Sequence, residues 1–296
     1  MFRLTFLGTA GSVPTKDRNL PSVALEYEGE TFLLDCGEGT QRQFLRFALN
    51  PWRIKSIFIT HMHGDHFIGI AGLIRTLGIA KRTTPLRIYV PKGEENKVKV
   101  LLTFDEAIIN YPIIIQGIGT GVVTKGKGYT ISAFRLNHSL DTYGYVFKED
   151  DKVHFLKEKC NRLGIKGAMF STLAKRGFIK VGKKTIRLKD VSNRVPGRKV
   201  VYATDTRPCA TTVSVSKDAD ILIHESAFSD TLRDVAKERM HSTAVEAAGI
   251  AKKAMVKKLI LFHTSARYPD AAPLLKEAKE IFNNSVLAKD GMQIDL

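Results

Sequence analysis

The chain has 296 residues, 44% of them hydrophobic, and carries 46 Lys and Arg against 30 Asp and Glu, a formal net charge of +16. That length allows a sizeable core in one large domain or two small ones, and the positive surplus points to a polyanionic partner. No run of about 18 apolar residues occurs, so no membrane-spanning helix is expected, and three scattered cysteines, Cys36, Cys160 and Cys209, exclude a disulfide framework or zinc ribbon and fit a reducing cytoplasm.

The chain opens at once on a predicted strand, residues 2–7, with no small-residue cleavage site, so no signal peptide is expected. A loop rich in turn formers runs from Gly8 to Asn19 and carries Lys16 and Arg18. Strands over 22–27 and 31–34 flank the turn Glu28-Gly29-Glu30, and a helix is expected over 41–48. The second of these strands stops at Asp35. Two roles suit that carboxylate: capping the helix, or holding a metal-binding imidazole from behind.

The stretch from Ile57 to Gly69 organises the rest. Ile57-Phe58-Ile59-Thr60 reads as a buried strand running into His61-Met62-His63-Gly64-Asp65-His66. Side chains at i and i+2 of an extended segment share a direction, so His61 and His63 can grip one ion. Gly64 allows a bend, after which Asp65 and His66 can face a second position. Three imidazoles and a carboxylate within six residues suit zinc and similar divalent metals. A helix follows Gly69, with Leu73, Ile74 and Leu77 on one face.

Further strands are predicted at 86–90, 113–115, 129–136, from Tyr143, at 199–204, 220–223 and 258–262, and helices at about 94–106 and from Asp270 to Phe282, with Asp270 as N-cap and Pro273 in the first turn. Thr243 and Glu246 have capping-box spacing at the start of another helix. Strands stop at His61, His138, Asp205 and His263; sites collect at such strand ends, where loops converge. His154 and His224 end no strand in a metal-like cluster. Between Glu149 and Arg194 the composition changes: thirteen Lys or Arg stand against five Asp or Glu, half the surplus of the whole chain. This reads as an inserted basic arm.

Four stretches together, Gly8 to Gly11, Pro14-x-Lys16-x-Arg18-Asn19, Asp35 to Gln41 and the His61–His66 motif, resemble the tRNase Z (ribonuclease Z) family of metallo-β-lactamase-fold hydrolases. The likeness covers nearly the whole chain. It implies an α/β fold, an αββα sandwich of two mixed sheets flanked by helices, in halves of roughly 1–148 and 195–296, forming a single domain with an inserted tRNA-binding arm at 149–194. It implies two zinc ions per chain: His61, His63, His138 and Asp205 on one, Asp65, His66, Asp205 and His263 on the other, with a water between them. Asp65 is then the proton acceptor from that water. His241, in a His-Ser-Thr motif, is the proton donor to the leaving oxygen, supported by Glu225. A helix start disfavours imidazolium, so such an acid needs a carboxylate beside it.

Two ions about 3.5–4 Å apart suit phosphodiester hydrolysis, here removal of the 3′ trailer from precursor tRNA to leave a 3′-hydroxyl. Lys16, Arg18 and Asn19 are expected to steer the RNA 3′ end, and the arm, Lys175 and Arg176 included, to grip the tRNA body. The arm lacks the Gly-Pro-rich tip of bacterial members, so position and charge identify it. The family also suggests a cytoplasmic homodimer in which one subunit's arm serves the other's site. The rival readings are a hydrolase of small phosphodiesters or other esters on the same scaffold, and an RNA-binding subunit without chemistry.

Overall fold

The computed structural model describes residues 2–103, 109–182 and 184–296. Two seven-stranded sheets dominate it. The first runs in the order Gln293–Asp295, Phe2–Gly8, Ser22–Tyr27, Glu30–Leu34, Ile54–Phe58, Leu86–Pro91, Ile113–Ile118. Its first four strands pair antiparallel and the rest parallel. The second runs Ser285–Leu287, Lys258–Phe262, Ile221–Glu225, Lys199–Ala203, Tyr143–Glu149, Tyr129–Arg135, Gly121–Gly126. Its first four strands are parallel.

Alternation along the strands explains the layering. Phe2, Phe6, Phe32 and Phe58 of the first sheet meet Phe147, Tyr145 and Phe262 of the second, with ring centroids 4.9 Å apart for Phe2–Phe147, 5.3 Å for Phe58–Tyr145 and 6.0 Å for Phe6–Phe262. Their neighbours Leu7, Leu33 and Ile57 point the other way, onto Phe44, Leu73, Ile74 and Leu77 of the helices Thr40–Arg46 and Gly69–Ile79. On the second sheet Val201, Leu222, Leu259 and Leu261 pack against Ala247, Ala248, Ala251 and Leu274 of the helices Ala244–Lys253 and Ala272–Ile281. Strands buried on both faces read as continuous apolar runs, which is why Leu259-Ile260-Leu261-Phe262 carries no polar residue. The layers are helix, sheet, sheet, helix.

Several boundaries differ from the sequence expectation. The sheets divide near residue 120, because Gly121–Gly126, Tyr129–Arg135 and Tyr143–Glu149 all join the second sheet. The glycine-bounded strand Gly121–Gly126 and the helix Ala210–Ser216, built of Thr, Val and Ser, have weak local propensity and were not anticipated. The helix expected at 94–106 spans Glu95–Leu102; residues 104–106 lie outside the described residues. The last helix is capped by Ala271, while Asp270 accepts the Ala272 amide at 2.9 Å. Ile221–Glu225 runs through His224 and Glu225, which are strand residues.

The chain divides into two compact units: Met1–Gly126, Thr130–Phe147 and Lys199–Leu296 form one, Lys127–Tyr129 and Lys148–Arg198 the other. The second unit contains segment 149–194. It has its own apolar cluster of Cys160, Ile165, Leu173, Ile179, Ile186 and Val191, two antiparallel strand pairs, Lys152–Phe155 with Ser192–Val195 and Phe178–Val181 with Lys184–Arg187, and the helices Lys157–Arg162 and Met169–Arg176. Glu149, 2% exposed, closes its base: Arg198 donates through Nε and Nη2 at 2.6 Å each and through its amide at 3.0 Å. Among the described residues no helix is long and apolar enough to cross a membrane.

Candidate metal centre

The seven expected donor residues converge within the first unit. His61, His63, His138 and Asp205 place ligand atoms within 4.8 Å of one another, and so do Asp65, His66 and His263. Asp205 faces both groups. Its Oδ2 lies 3.6 Å from His61 Nε2 and 3.9 Å from His138 Nε2, and its Oδ1 lies 3.4 Å from His66 Nε2 and 3.2 Å from His263 Nε2. Asp65 Oδ2 stands 3.5 Å from His66 Nε2 and 3.7 Å from His263 Nε2.

Local backbone explains the convergence. His61 and His63 follow the strand Ile54–Phe58 in extended chain. Gly64 then starts a one-turn helix, Gly64–Phe67, with His63 as its N-cap, and this turns Asp65 and His66 to the second group. Gly64 is not among the residues with positive φ, so the bend does not draw on glycine's left-handed freedom. Three other strand ends do turn sharply without glycine: Asp35, Asp205 and His263 have φ of 56°, 47° and 57°. Such conformations are uncommon for residues with a Cβ and persist where the surroundings fix them. Gly11 is needed for another reason: a Cβ there would lie 2.7 Å from His263 Nδ1.

Three of the five imidazoles are held from behind. Thr60 Oγ1 lies 3.0 Å from His61 Nδ1, Asp35 Oδ2 2.8 Å from His66 Nδ1, and the Met240 carbonyl 3.0 Å from His138 Nδ1. Partners of this kind fix ring orientation and tautomer. Asp35 is fully buried and also accepts the Thr60 amide at 2.8 Å and the Tyr202 hydroxyl at 2.9 Å. It caps no helix, since the N-cap of Thr40–Arg46 is Gly39. Thr60 and Tyr202 escaped the sequence reading. Thr60 adjoins the histidine motif, whereas nothing local marks Tyr202, which reaches Asp35 from the other sheet.

The donor set fits divalent metal: imidazole and carboxylate ligands, too many for one tetrahedral ion. His61 Nε2 faces His63 Nδ1 at 2.9 Å and His66 Nε2 faces His263 Nε2 at 3.3 Å, nitrogens aimed at shared points rather than at acceptors. Burial, then repulsion from His66, holds His61 well below its ordinary range, and burial likewise depresses His63, so both stay neutral donors. Burial also opposes charge on His66, but Asp205, Asp35 and Asp65 outweigh it and raise that ring to about 10. The carboxylates thus draw positive charge into the centre, the place of a bound cation.

Beside this cluster His241 Nδ1 lies 2.9 Å from Glu225 Oε1. Glu225, wholly buried, is pinned by the amides of Thr206 at 2.6 Å, Ser242 at 3.0 Å and Ala227 at 3.4 Å. Burial works against a charged His241, yet the Glu225 charge and hydrogen bond prevail and lift it to about 9. Thr243 caps the helix Ala244–Lys253 in a reciprocal box with Glu246. Arg207 clasps Glu246 at 2.5 and 2.8 Å and the His241 carbonyl at 2.5 Å. His224 is buried, with Nδ1 2.8 Å from the Glu225 carbonyl, and His154 is exposed.

The Pro14–Asn19 loop lines a cavity, with Lys16, Arg18 and Asn19 all in its wall. Lys16 is 90% exposed on its side chain, with Asp17 3.9 Å away. Arg18 instead donates to the Tyr268 carbonyl at 2.7 Å, and Asn19 to the Glu38 carbonyl at 2.9 Å. Asp290 gathers this region: it accepts the Asn19 amide at 2.7 Å, Thr9 Oγ1 at 2.8 Å and Gln43 Nε2 at 2.9 Å. Arg18 and Asn19 therefore brace the loop while lining its cavity. In the second unit Lys175 and Arg176 are exposed at the end of the helix Met169–Arg176.

Comparison with known proteins agrees with this geometry. The metallo-beta-lactamase superfamily profile matches residues 18–139. Ribonuclease Z of Methanosarcina acetivorans is 41% identical over 100% of this chain and 98% of its own, and that of Archaeoglobus fulgidus 42% identical over 100% and 98%. The crystal structure of human tRNase Z, short form, superposes with a TM-score of 0.71 at 27% identity, covering 99% of this chain and 98% of that one. With the two-sheet fold and full-length kinship at this level, the chain belongs to the ribonuclease Z family of metallo-β-lactamase-fold hydrolases.

Proposed function

We propose that this protein is a metal-dependent endoribonuclease that removes the 3′ trailer from precursor tRNA and leaves a 3′-hydroxyl on the tRNA. The observation that carries the reading is Asp205, whose two oxygens face two separate donor groups. His61, His63 and His138 with Asp205 would hold one ion, and Asp65, His66 and His263 with Asp205 the other; we assign zinc, two per chain. Bound there, the ions supply Lewis-acid activation of water and charge neutralisation at the phosphate.

The chain's own residues supply the rest. Asp65 is the acceptor for the attacking water's proton, and its Oδ2 is oriented by the Ser12 amide at 2.9 Å. His241, kept protonated by Glu225, donates to the departing 3′ oxygen. Asp35 holds the His66 ring. The basic unit at 149–194, with Lys175 and Arg176, contributes phosphate contacts that position without reading sequence, and Lys16, Arg18 and Asn19, which line one cavity, steer the RNA 3′ end. A cytoplasmic homodimer, with one subunit's basic unit serving the other's site, completes the proposal on family resemblance. The test is cleavage of a 3′-extended precursor tRNA, with product ends mapped, beside a chromogenic phosphodiester. Preference for the tRNA with a single mapped cut supports the reading, and hydrolysis of the small ester alone supports the rival.

A further inference from the structure

Two cavities open on His241. One, of about 640 Å³, contains His63, Asp65, His138 and Asp205 of the donor set. The other, of about 270 Å³, has Val13, Phe228 and Arg267 in its wall and only His263 from that set. They share Ser12, Arg239 and His241. The second cavity therefore adjoins the proton donor and touches the metal centre at His263 alone.

Its chemistry is aromatic and cationic. The Arg267 guanidinium lies over the Phe228 ring, 4.6 Å from its centroid, and its Nε contacts Ser265 Oγ at 3.1 Å, which fixes the guanidinium plane. Phe228 is buried and Arg267 exposed, so the outer guanidinium face is free to stack. Neither Arg267 nor Arg239 has a carboxylate partner among the described residues. At about 270 Å³ the space falls just under the range for drug-sized ligands and suits a single nucleoside. Val13, 55% exposed, adds an apolar edge. Unstacked RNA bases are held by aromatic rings and by arginine planes.

We propose that this cavity binds the nucleotide whose 3′ oxygen departs, with its base stacked on Arg267. The assignment rests on the ribonuclease reading: the ribose bearing that oxygen has to lie beside its proton donor, and the second cavity begins there. Arg239, on the shared wall, faces the phosphate run.

The experiment combines a protein change with a substrate change. Precursor tRNA is made with and without a base at the nucleotide on the 5′ side of the cut, and kcat/KM is measured for wild type, Arg267→Ala and Arg267→Lys. Wild type is expected to lose about tenfold on the abasic substrate, the scale of one lost base stack. Arg267→Ala should lose a similar factor on the normal substrate and little more on the abasic one. Arg267→Lys keeps the charge but not the plane and should behave like the alanine variant. Losses that multiply, no loss on the abasic substrate, or full activity of the lysine variant would each overturn the subsite. Failure of wild type to cut any precursor at a defined position would instead remove the ribonuclease reading, and the subsite with it.

Discussion

The metal centre and the basic unit solve opposite problems. The centre is made of buried and half-buried groups, several of them oriented from behind: His66 by Asp35, His138 by the Met240 carbonyl, Glu225 by three amides. The basic unit gathers a small apolar cluster so that many cations can stay in solvent. Chemistry at a single phosphorus needs groups held within fractions of an ångström. Contact with a folded polyanion needs charge spread over a surface and tolerates mobile side chains. Substitutions should therefore act through turnover and metal in the first region and through salt-dependent affinity in the second.

The sharpest break between them is expected at His241. His241→Asn should lower kcat on precursor tRNA by about 10²–10⁴-fold with metal content unchanged. Loss of metal would move His241 into the structural group and blur the contrast. Asp35→Ala comes next. Releasing the His66 ring should weaken metal affinity by about 10–100-fold, read by competition with a chelator. An unchanged affinity would show that the His66 ring keeps its place without Asp35 and would contradict the supporting role.

How much of this was legible in the sequence follows the same division. The histidine motif is contiguous, so its density alone announced it, and His138, Asp205 and His263 were visible as polar residues where apolar strands stop. Their supports were not: Tyr202 sits mid-strand and serves Asp35 across the sheets, and Asp290 joins Thr9, Asn19 and Gln43 from the far end of the chain. Arg18 and Asn19 were expected to steer the RNA 3′ end because their loop resembles the family's. Their hydrogen bonds to the Tyr268 and Glu38 carbonyls, which brace the loop, had no local signal. In the basic unit charge announced the region but not its core, since Cys160, Ile165 and Leu173 are spread among lysines without one clear period.

Smaller effects sharpen the second half of the contrast. Deleting residues 150–193 should flatten the fall of tRNA affinity with salt, while hydrolysis of a chromogenic phosphodiester persists; equal slopes would remove the basic unit from recognition. The double variant Lys175→Ala, Arg176→Ala should reduce the slope by roughly 2 if both contact phosphate. At the base of that unit, the Arg198 hydrogen bonds outweigh burial and hold Glu149 down to about 2, below its ordinary 4.5. Its folded value being the lower, the stabilisation, on the order of 2–3 kcal/mol, is complete above pH about 4.5 and vanishes as pH falls towards 2. The difference in melting temperature between wild type and Glu149→Gln should shrink over that window, and a constant difference would contradict the clamp.

The central claim is that residues from four strand ends cage two cations with Asp205 between them. Counting metal on purified protein tests it most directly. The account predicts two divalent ions per chain in wild type and fewer in Asp205→Ala, because one carboxylate serves both positions. One ion or none in wild type, or two retained by Asp205→Ala, would contradict it.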